Sequence, residues 1–152
     1  MKVSELLKKN LIKLEIEAVD KQGVIKEMVD IMRDCAQLEN GDIFLNDIYA
    51  REKLGSTGIG DGIALPHARS KGIKQLILAF GRSIEGIDFD ALDGNPVHLI
   101  FLIGTPKEDV GNYLKTLAQL SRLLKKEHFR KRILAADSEE EIFEIFKEAE
   151  EQ

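Results

Sequence analysis

The sequence has one cysteine, three prolines and no tryptophan among its 152 residues. The lone thiol, Cys35, excludes an internal disulfide and any zinc cluster built from several cysteines. No apolar run approaches the roughly 18 residues that a membrane helix needs. The opening stretch MKVSELLKKNLIKLEIEAVDK scatters charge where a signal peptide would carry an apolar core. Positive charge is in deficit, with 22 basic residues against 27 acidic and a net charge of −5. The resulting pI near 5.3 argues against a nucleic-acid footprint. No internal repeat and no linker-like segment is found. What is present is 43% hydrophobic and 32% charged, the balance of an ordinary folded protein. A chain of this size can bury roughly 68–70% of its extended surface. The expectation is a cytoplasmic protein with a single domain over residues 1–152.

Acidic residues gather at the end. Asp137–Gln152 carries eight of them and one base, Lys147. A basic group, Arg122, Lys125, Lys126, Arg130, Lys131 and Arg132, comes just before. Such runs read first as solvated helix surface, and as a docking patch only second.

Apolar spacing sets out the elements. Ser4 is expected to cap a short helix over Glu5–Lys9. Leu11–Ile16 alternates apolar and charged residues, as a half-buried strand does. Asp20 can cap a helix whose apolar positions Ile25, Met28, Val29, Met32 and Cys35 recur at helical spacing, which makes Cys35 a core thiol rather than a nucleophile. Asp42–Leu54 reads as another helix, with Ile43, Phe44, Ile48 and Leu54 apolar. Ile63–Leu65 is a short apolar stretch. Gln75–Phe80 and Val97–Ile103 are nearly continuous apolar runs, so they suggest interior strands covered on both faces. Glu108–Lys125 is a long helix with Leu114, Leu117, Ala118 and Leu124 on one side. Glu127–Ala135 and an acidic helix at residues 138–149 follow, the latter capped at Asp137 or Ser138 with Glu141 placed as in a capping box. Helices and strands interleave, so the class is α/β: one sheet flanked on both faces by helices.

The informative stretch is Arg51–Arg69, REKLGSTGIGDGIALPHAR. It contains neither GxxxxGK[ST] nor GxGxxG, and Ser56 sits in no GxSxG elbow. His67, His98 and His128 lack the HExxH spacing of a zinc protease. Gly55–Gly62 holds four glycines, which permit sharp turns and exposed amides able to bind an anion. Ser56 and Thr57 add hydroxyl donors. Arg51 and Arg69 bring forks suited to phosphate oxygens. His67, fixed behind Pro66 with no adjacent nucleophile to activate, can itself attack a phosphoryl group. Its ordinary pKa of about 6.5 leaves the neutral ring abundant near neutral pH. On composition alone a plain loop with a satisfied histidine stands beside this reading. His98, within an apolar strand, and His128, among lysines, are read as structural.

The segment REKLGSTGIGDGIALPHAR resembles the active-site signature of enzyme IIA of the bacterial phosphotransferase system, of the fructose/mannitol/nitrogen-regulatory type. FDALDGNPVHLIFLIGTP (Phe89–Pro106) is similar to the strand and turn that follow that site. YLKTLAQLSRLL (Tyr113–Leu124) is similar to the family's long helix. The resemblance implies a mixed sheet sandwiched by helices. It implies a phosphoryl group accepted on His67 from the carrier HPr, or its nitrogen-type paralogue, and passed to a cysteine of an enzyme IIB. Arg51, Ser56 and Thr57 fall on phosphate-stabilising positions. No cofactor, metal, nucleic acid or membrane insertion is implied. One departure stands out. Where many members carry a second histidine at the start of the long helix, this chain has Tyr113. A phenol can donate a hydrogen bond to phosphate but brings no positive charge. Tyr113 is thus either a site neighbour or a packing residue.

Two function classes follow. One is a phosphoryl carrier in sugar uptake; the other is a stand-alone nitrogen-type regulator whose phosphorylation state controls partner binding. A third, a hydrolase or a metal-binding protein using His67, is set aside.

Overall fold

An apolar run with no polar face must be covered on both sides, and the two longest such runs form the middle of the sheet. The computed structural model describes residues 2–151. Among them the strands are β1 (Ile12–Lys13), β2 (Gly58–Gly60), β3 (Ile63–Ala64), β4 (His67–Arg69), β5 (Ile77–Ile87) and β6 (Val97–Thr105). They form one six-stranded sheet in the order β1-β5-β6-β3-β2, with β4 also paired to β6. The sheet is mixed. β5 and β6 run antiparallel, as do β2 and β3, while β1 lies parallel to β5 and both β3 and β4 lie parallel to β6.

From Leu99 to Ile103, beyond a register shift that separates them from Val97, the residues of β6 alternate between two cores. Leu99, Phe101 and Ile103 face one cluster, shared with α1 (Val3–Leu6), α4 (Val110–Leu124), α5 (Glu127–Ala135) and α6 (Glu139–Glu150). Val97, Ile100 and Leu102 face the other, shared with α2 (Lys21–Met32) and α3 (Gly41–Lys53). This double burial explains why β5 and β6 read as solid apolar runs. The expected α/β architecture, one mixed sheet with helices on both faces, is what the chain adopts. No helix among the described residues is long and apolar enough to cross a membrane.

β3 and β4 are one strand with an interruption. Ile63 and Ala64 pair with Leu99 and Ile100, and His67, Ala68 and Arg69 pair with Ile103, Gly104 and Thr105. The offset is identical on both sides of Leu65-Pro66. Proline has no N–H for a ladder, yet the Pro66 carbonyl accepts from the Ile103 N–H at 3.0 Å. The register therefore survives the break and fixes where His67 sits on the sheet.

Side-chain caps at several helix starts match the sequence. Asp20 accepts from the Gly23 N–H at 2.7 Å, and Ser138 from the Glu141 N–H at 3.1 Å. Other expectations need correction. Ser4 does not cap α1; it lies buried inside it. The Glu150 carboxylate reaches across from α6 to accept from the Val3 and Ser4 N–H groups at 2.6 and 3.1 Å. β1 stops at Lys13, although the Ile16 N–H still donates to the Arg82 carbonyl at 2.9 Å. α3 begins at Gly41 behind an Asn40 cap, and only Phe44 and Ile48 of its predicted apolar set are fully buried. Cys35 lies beyond the end of α2 and is only half-buried. On α4 the buried side is Thr116, Leu120, Leu123 and Leu124, whereas Leu114 and Ala118 face outward.

Candidate functional site

Proline at position 66 removes one backbone donor, and the neighbouring peptide groups take up specific partners. The Leu65 N–H donates to the Thr57 carbonyl at 3.0 Å. The Leu65 carbonyl lies 2.7 Å from His67 Nδ1. A carbonyl can only accept, so Nδ1 carries the proton and Nε2 keeps its lone pair. Burial pushes the His67 pKa below the ordinary histidine value, and the Arg51 charge acts in the same direction. The Leu65 carbonyl and Glu52 oppose them. The ring is therefore neutral near pH 7, with the Nε2 lone pair available.

His67 opens onto a cleft of about 840 Å³ whose walls include Arg51 and Leu54 from the end of α3, Arg69 from β4, Lys107, and Val110, Tyr113 and Leu114 from the start of α4. The sheet brings these walls together. At Gly104, the partner of Ala68 on β4, an added Cβ would come within 2.8 Å of the Phe44 ring. That missing side chain lets α3 lie against the strand carrying His67. Arg51, on the last turn of α3, donates from Nη1 to the Gly55 carbonyl at 2.9 Å. The ring centroids of Tyr113 and His67 are 5.5 Å apart, tilted by 55°. Burial raises the Tyr113 pKa, with Arg51 and Arg69 pulling against it, so near pH 7 the phenol is a neutral donor. Positive charge in the cleft comes from Arg51, Arg69 and Lys107.

Ser56 and Thr57 are placed differently from the expectation. Neither is among the residues lining the cleft. Ser56 Oγ donates to the Phe89 carbonyl and accepts from the Gly58 N–H at 3.0 Å. Thr57 is buried, and its hydroxyl donates to the Glu52 carboxylate. Several loop amides are likewise engaged: the Thr57 N–H donates to Glu52 at 3.2 Å and the Asp61 N–H to Asp93 at 3.1 Å. The glycines serve the β2–β3 hairpin, where Gly60, Asp61 and Gly62 take φ of 98°, 57° and 78°. The loop is stapled to α3 and to the segment between β5 and β6 rather than open as an anion nest.

His98 bonds through Nδ1 to the Ser83 carbonyl at 2.9 Å, and His128 is exposed; neither lines the His67 cleft. A second cleft, of about 650 Å³, lies between α1 and α6. Its lining holds no histidine or cysteine, and Lys9 there pairs with Glu140 at 2.8 Å. Of these two clefts, the first alone holds a histidine. Sequence reasoning missed Glu52, Lys107 and the exposed leucines 54 and 114. A signal existed for the leucines: apolar residues placed at a helix end and a helix start on either side of the histidine.

Residues 5–149 match the family model described as phosphoenolpyruvate-dependent sugar phosphotransferase system, EIIA 2. The chain belongs to this family. Enzyme IIA proteins of this type are phosphoryl carriers, and this chain is one of them. It is 43% identical over 145 residues to the fructose-specific EIIABC component of Bacillus subtilis, a match covering 95% of this chain and 23% of that protein. It thus spans about a quarter of that relative's length. Among solved structures, nitrogen regulatory protein IIA-Ntr from Neisseria meningitidis superposes with a TM-score of 0.87 at 34% identity, over 95% of this chain and 98% of that one. The enzyme IIA in the Escherichia coli complex of enzyme IIA-Mtl with phosphorylated enzyme IIB-Mtl shares the fold, with a TM-score of 0.81 at 21% identity, covering 93% and 97% of the two chains.

Proposed function

We propose that His67 is the phosphoryl acceptor, that attack comes from Nε2, and that the group arrives from HPr or its nitrogen-type paralogue and leaves to an enzyme IIB. The observation that carries this reading is the Nδ1–Leu65 carbonyl contact of 2.7 Å at the floor of a basic cleft. The Nε2 lone pair forms the new N–P bond as the donor's P–N bond breaks; the donor ring, protonated on its other nitrogen, leaves as neutral imidazole, and His67 becomes the phosphoimidazolium. The proton stays on Nδ1, donated to the Leu65 carbonyl throughout, so no base is required. Transfer of this kind asks the protein for positioning and charge. Arg51 is suited to both, with Arg69, Lys107 and the Tyr113 hydroxyl as further donors. A cysteine thiolate of a IIB then attacks the same phosphorus from the open side. The likeness to IIA-Ntr supports a second use of the same phosphohistidine, in regulation; rapid transfer to a IIB separates the two.

Reconstitution with phosphoenolpyruvate, enzyme I and HPr is expected to add one acid-labile phosphoryl group, and none to His67→Gln. The sign of the pH effect follows from the lowered pKa. Protonation removes the nucleophile, so acceptance falls only on the acid side, at a pH below the ordinary histidine value of about 6.5. Phosphate uptake by His67→Gln would refute the assignment.

A further inference from the structure

Arg51 and Glu52 are consecutive on α3, so their side chains point about 100° apart. Arg51 lines the cleft. Glu52 points behind the glycine loop, where its side chain is only 6% exposed. A buried carboxylate is costly unless paired and hydrogen-bonded, and this one is both. It accepts from the Thr57 N–H at 3.2 Å and from the Thr57 hydroxyl. It pairs with Lys21 Nζ at 2.8 Å. Lys21 is the first residue of α2, and its ammonium lies 4.9 Å from the centre of the Phe89 ring. The Phe89 carbonyl in turn accepts from Ser56. The start of the loop is therefore anchored to α2, to α3 and to the segment before β6.

From Thr57 a short path leads to the histidine. The Thr57 carbonyl accepts from the Leu65 N–H at 3.0 Å, and the Leu65 carbonyl accepts from His67 Nδ1–H at 2.7 Å. Residue 66 is proline and gives this turn no amide proton of its own. The Leu65 N–H and carbonyl belong to successive peptide groups joined at the Leu65 Cα, so Thr57 fixes the first directly and, through it, helps set the orientation of the Leu65 carbonyl. That orientation decides whether a carbonyl faces Nδ1, and so which nitrogen keeps its lone pair.

Resting on the reading that His67 accepts the phosphoryl group, we propose that Glu52 is a positioning residue for transfer: clamped by Lys21, it holds Thr57 so that the Leu65 backbone, held at its N–H, keeps its carbonyl on His67 with Nδ1 protonated and Nε2 facing the cleft. Thr57 acts as a link in this chain and not as a phosphate ligand. Ser56 secures the same loop from its other side.

The imidazole nitrogens of ¹⁵N-labelled, unphosphorylated protein report the tautomer directly by two-bond nitrogen–proton NMR. Wild type is expected to show a protonated Nδ1 and a bare Nε2 at His67. Glu52→Gln, which puts an amide against Lys21 and leaves one oxygen for two Thr57 donors, is expected to give a mixture of tautomers. Transfer should slow on the order of 10²-fold, as for other small misplacements of a reacting group. Thr57→Val, which removes the hydroxyl alone, should move both readouts in the same direction by less. Glu150→Gln is the control. It uncaps α1 far from the loop, so it lowers the melting temperature while leaving tautomer and transfer as in wild type. Should Glu52→Gln fail to fold, Thr57→Val decides. A wild-type tautomer in the folded variants overturns the proposal, as does slowed transfer with the tautomer intact, which would return Thr57 to the phosphate. If wild type itself takes no phosphate on His67, the functional reading fails on its own, while the tautomer comparison still judges the role of Glu52.

Discussion

Arg51→Ala is expected to slow phosphoryl transfer on the order of 10²-fold or more, the scale seen when a preorganised electrostatic donor is removed, while the protein stays folded. The guanidinium is half-exposed and makes one hydrogen bond among the described residues, to the Gly55 carbonyl at 2.9 Å. Losing that bond costs about 1 kcal/mol. In the cleft, by contrast, the neutral Nε2 and the neutral Tyr113 phenol offer no charge to the oxygens of a transferring phosphoryl group. Arg51 sits where it already acts electrostatically on both the His67 and Tyr113 rings. Rapid-quench transfer from phosphorylated HPr, with a melting curve alongside, separates the roles. A large fall in melting temperature with normal transfer would make Arg51 a structural cap.

The largest stability effect is expected at Arg82. It is 8% exposed and forms no ion pair among the described residues. Its guanidinium instead donates to the carbonyls of Leu14, Ile133, Leu134 and Ala136, at 3.1, 3.1, 3.2 and 2.7 Å. Three of these lie at the end of α5, where helix carbonyls lack partners and the dipole favours a cation. The fourth ties in the chain just after β1, at the sheet edge. Arg82→Met keeps much of the volume but leaves the two buried carbonyls, of Ile133 and Ala136, unsatisfied, at roughly 1–3 kcal/mol for each such group. A loss on the order of 3 kcal/mol, or about 10 °C in melting temperature at this chain length, is expected. Denaturant unfolding of the variant measures it directly. A change below about 0.5 kcal/mol, the range of ordinary surface substitutions, would show that water replaces the guanidinium without cost.

How much of this was legible in the sequence depended on whether the deciding contact was local. Asp20 and Ser138 cap helices three residues away, and both were readable. The cap on α1 comes from Glu150, at the other end of the chain, and no local pattern announces it. β5 was expected to stop at Phe80 because the apolar run ends there, at Gly81. It continues to Ile87 because α5 supplies the carbonyls that let an arginine be buried in a strand. On α4, Leu114 was assigned to the core on hydrophobicity, yet it is 55% exposed and lines the cleft. Functional surface had overridden the usual pattern there. The Arg51–His67 segment was legible as a unit through its resemblance to a family signature; its residue types alone left a plain loop standing beside the phosphoryl reading. The direction of the Ser56 and Thr57 hydroxyls was not, because it is set by Glu52 and by Phe89, which is 33 residues from Ser56.

The central claim is that Nε2 of His67 is the atom that carries the phosphoryl group. One measurement tests it most directly: phosphorus–nitrogen coupling in ¹⁵N-labelled protein phosphorylated through HPr. The account predicts a single phosphohistidine, at residue 67, with coupling to Nε2 and with Nδ1 still protonated. Phosphate on Nδ1, or on His98 or His128, would contradict it.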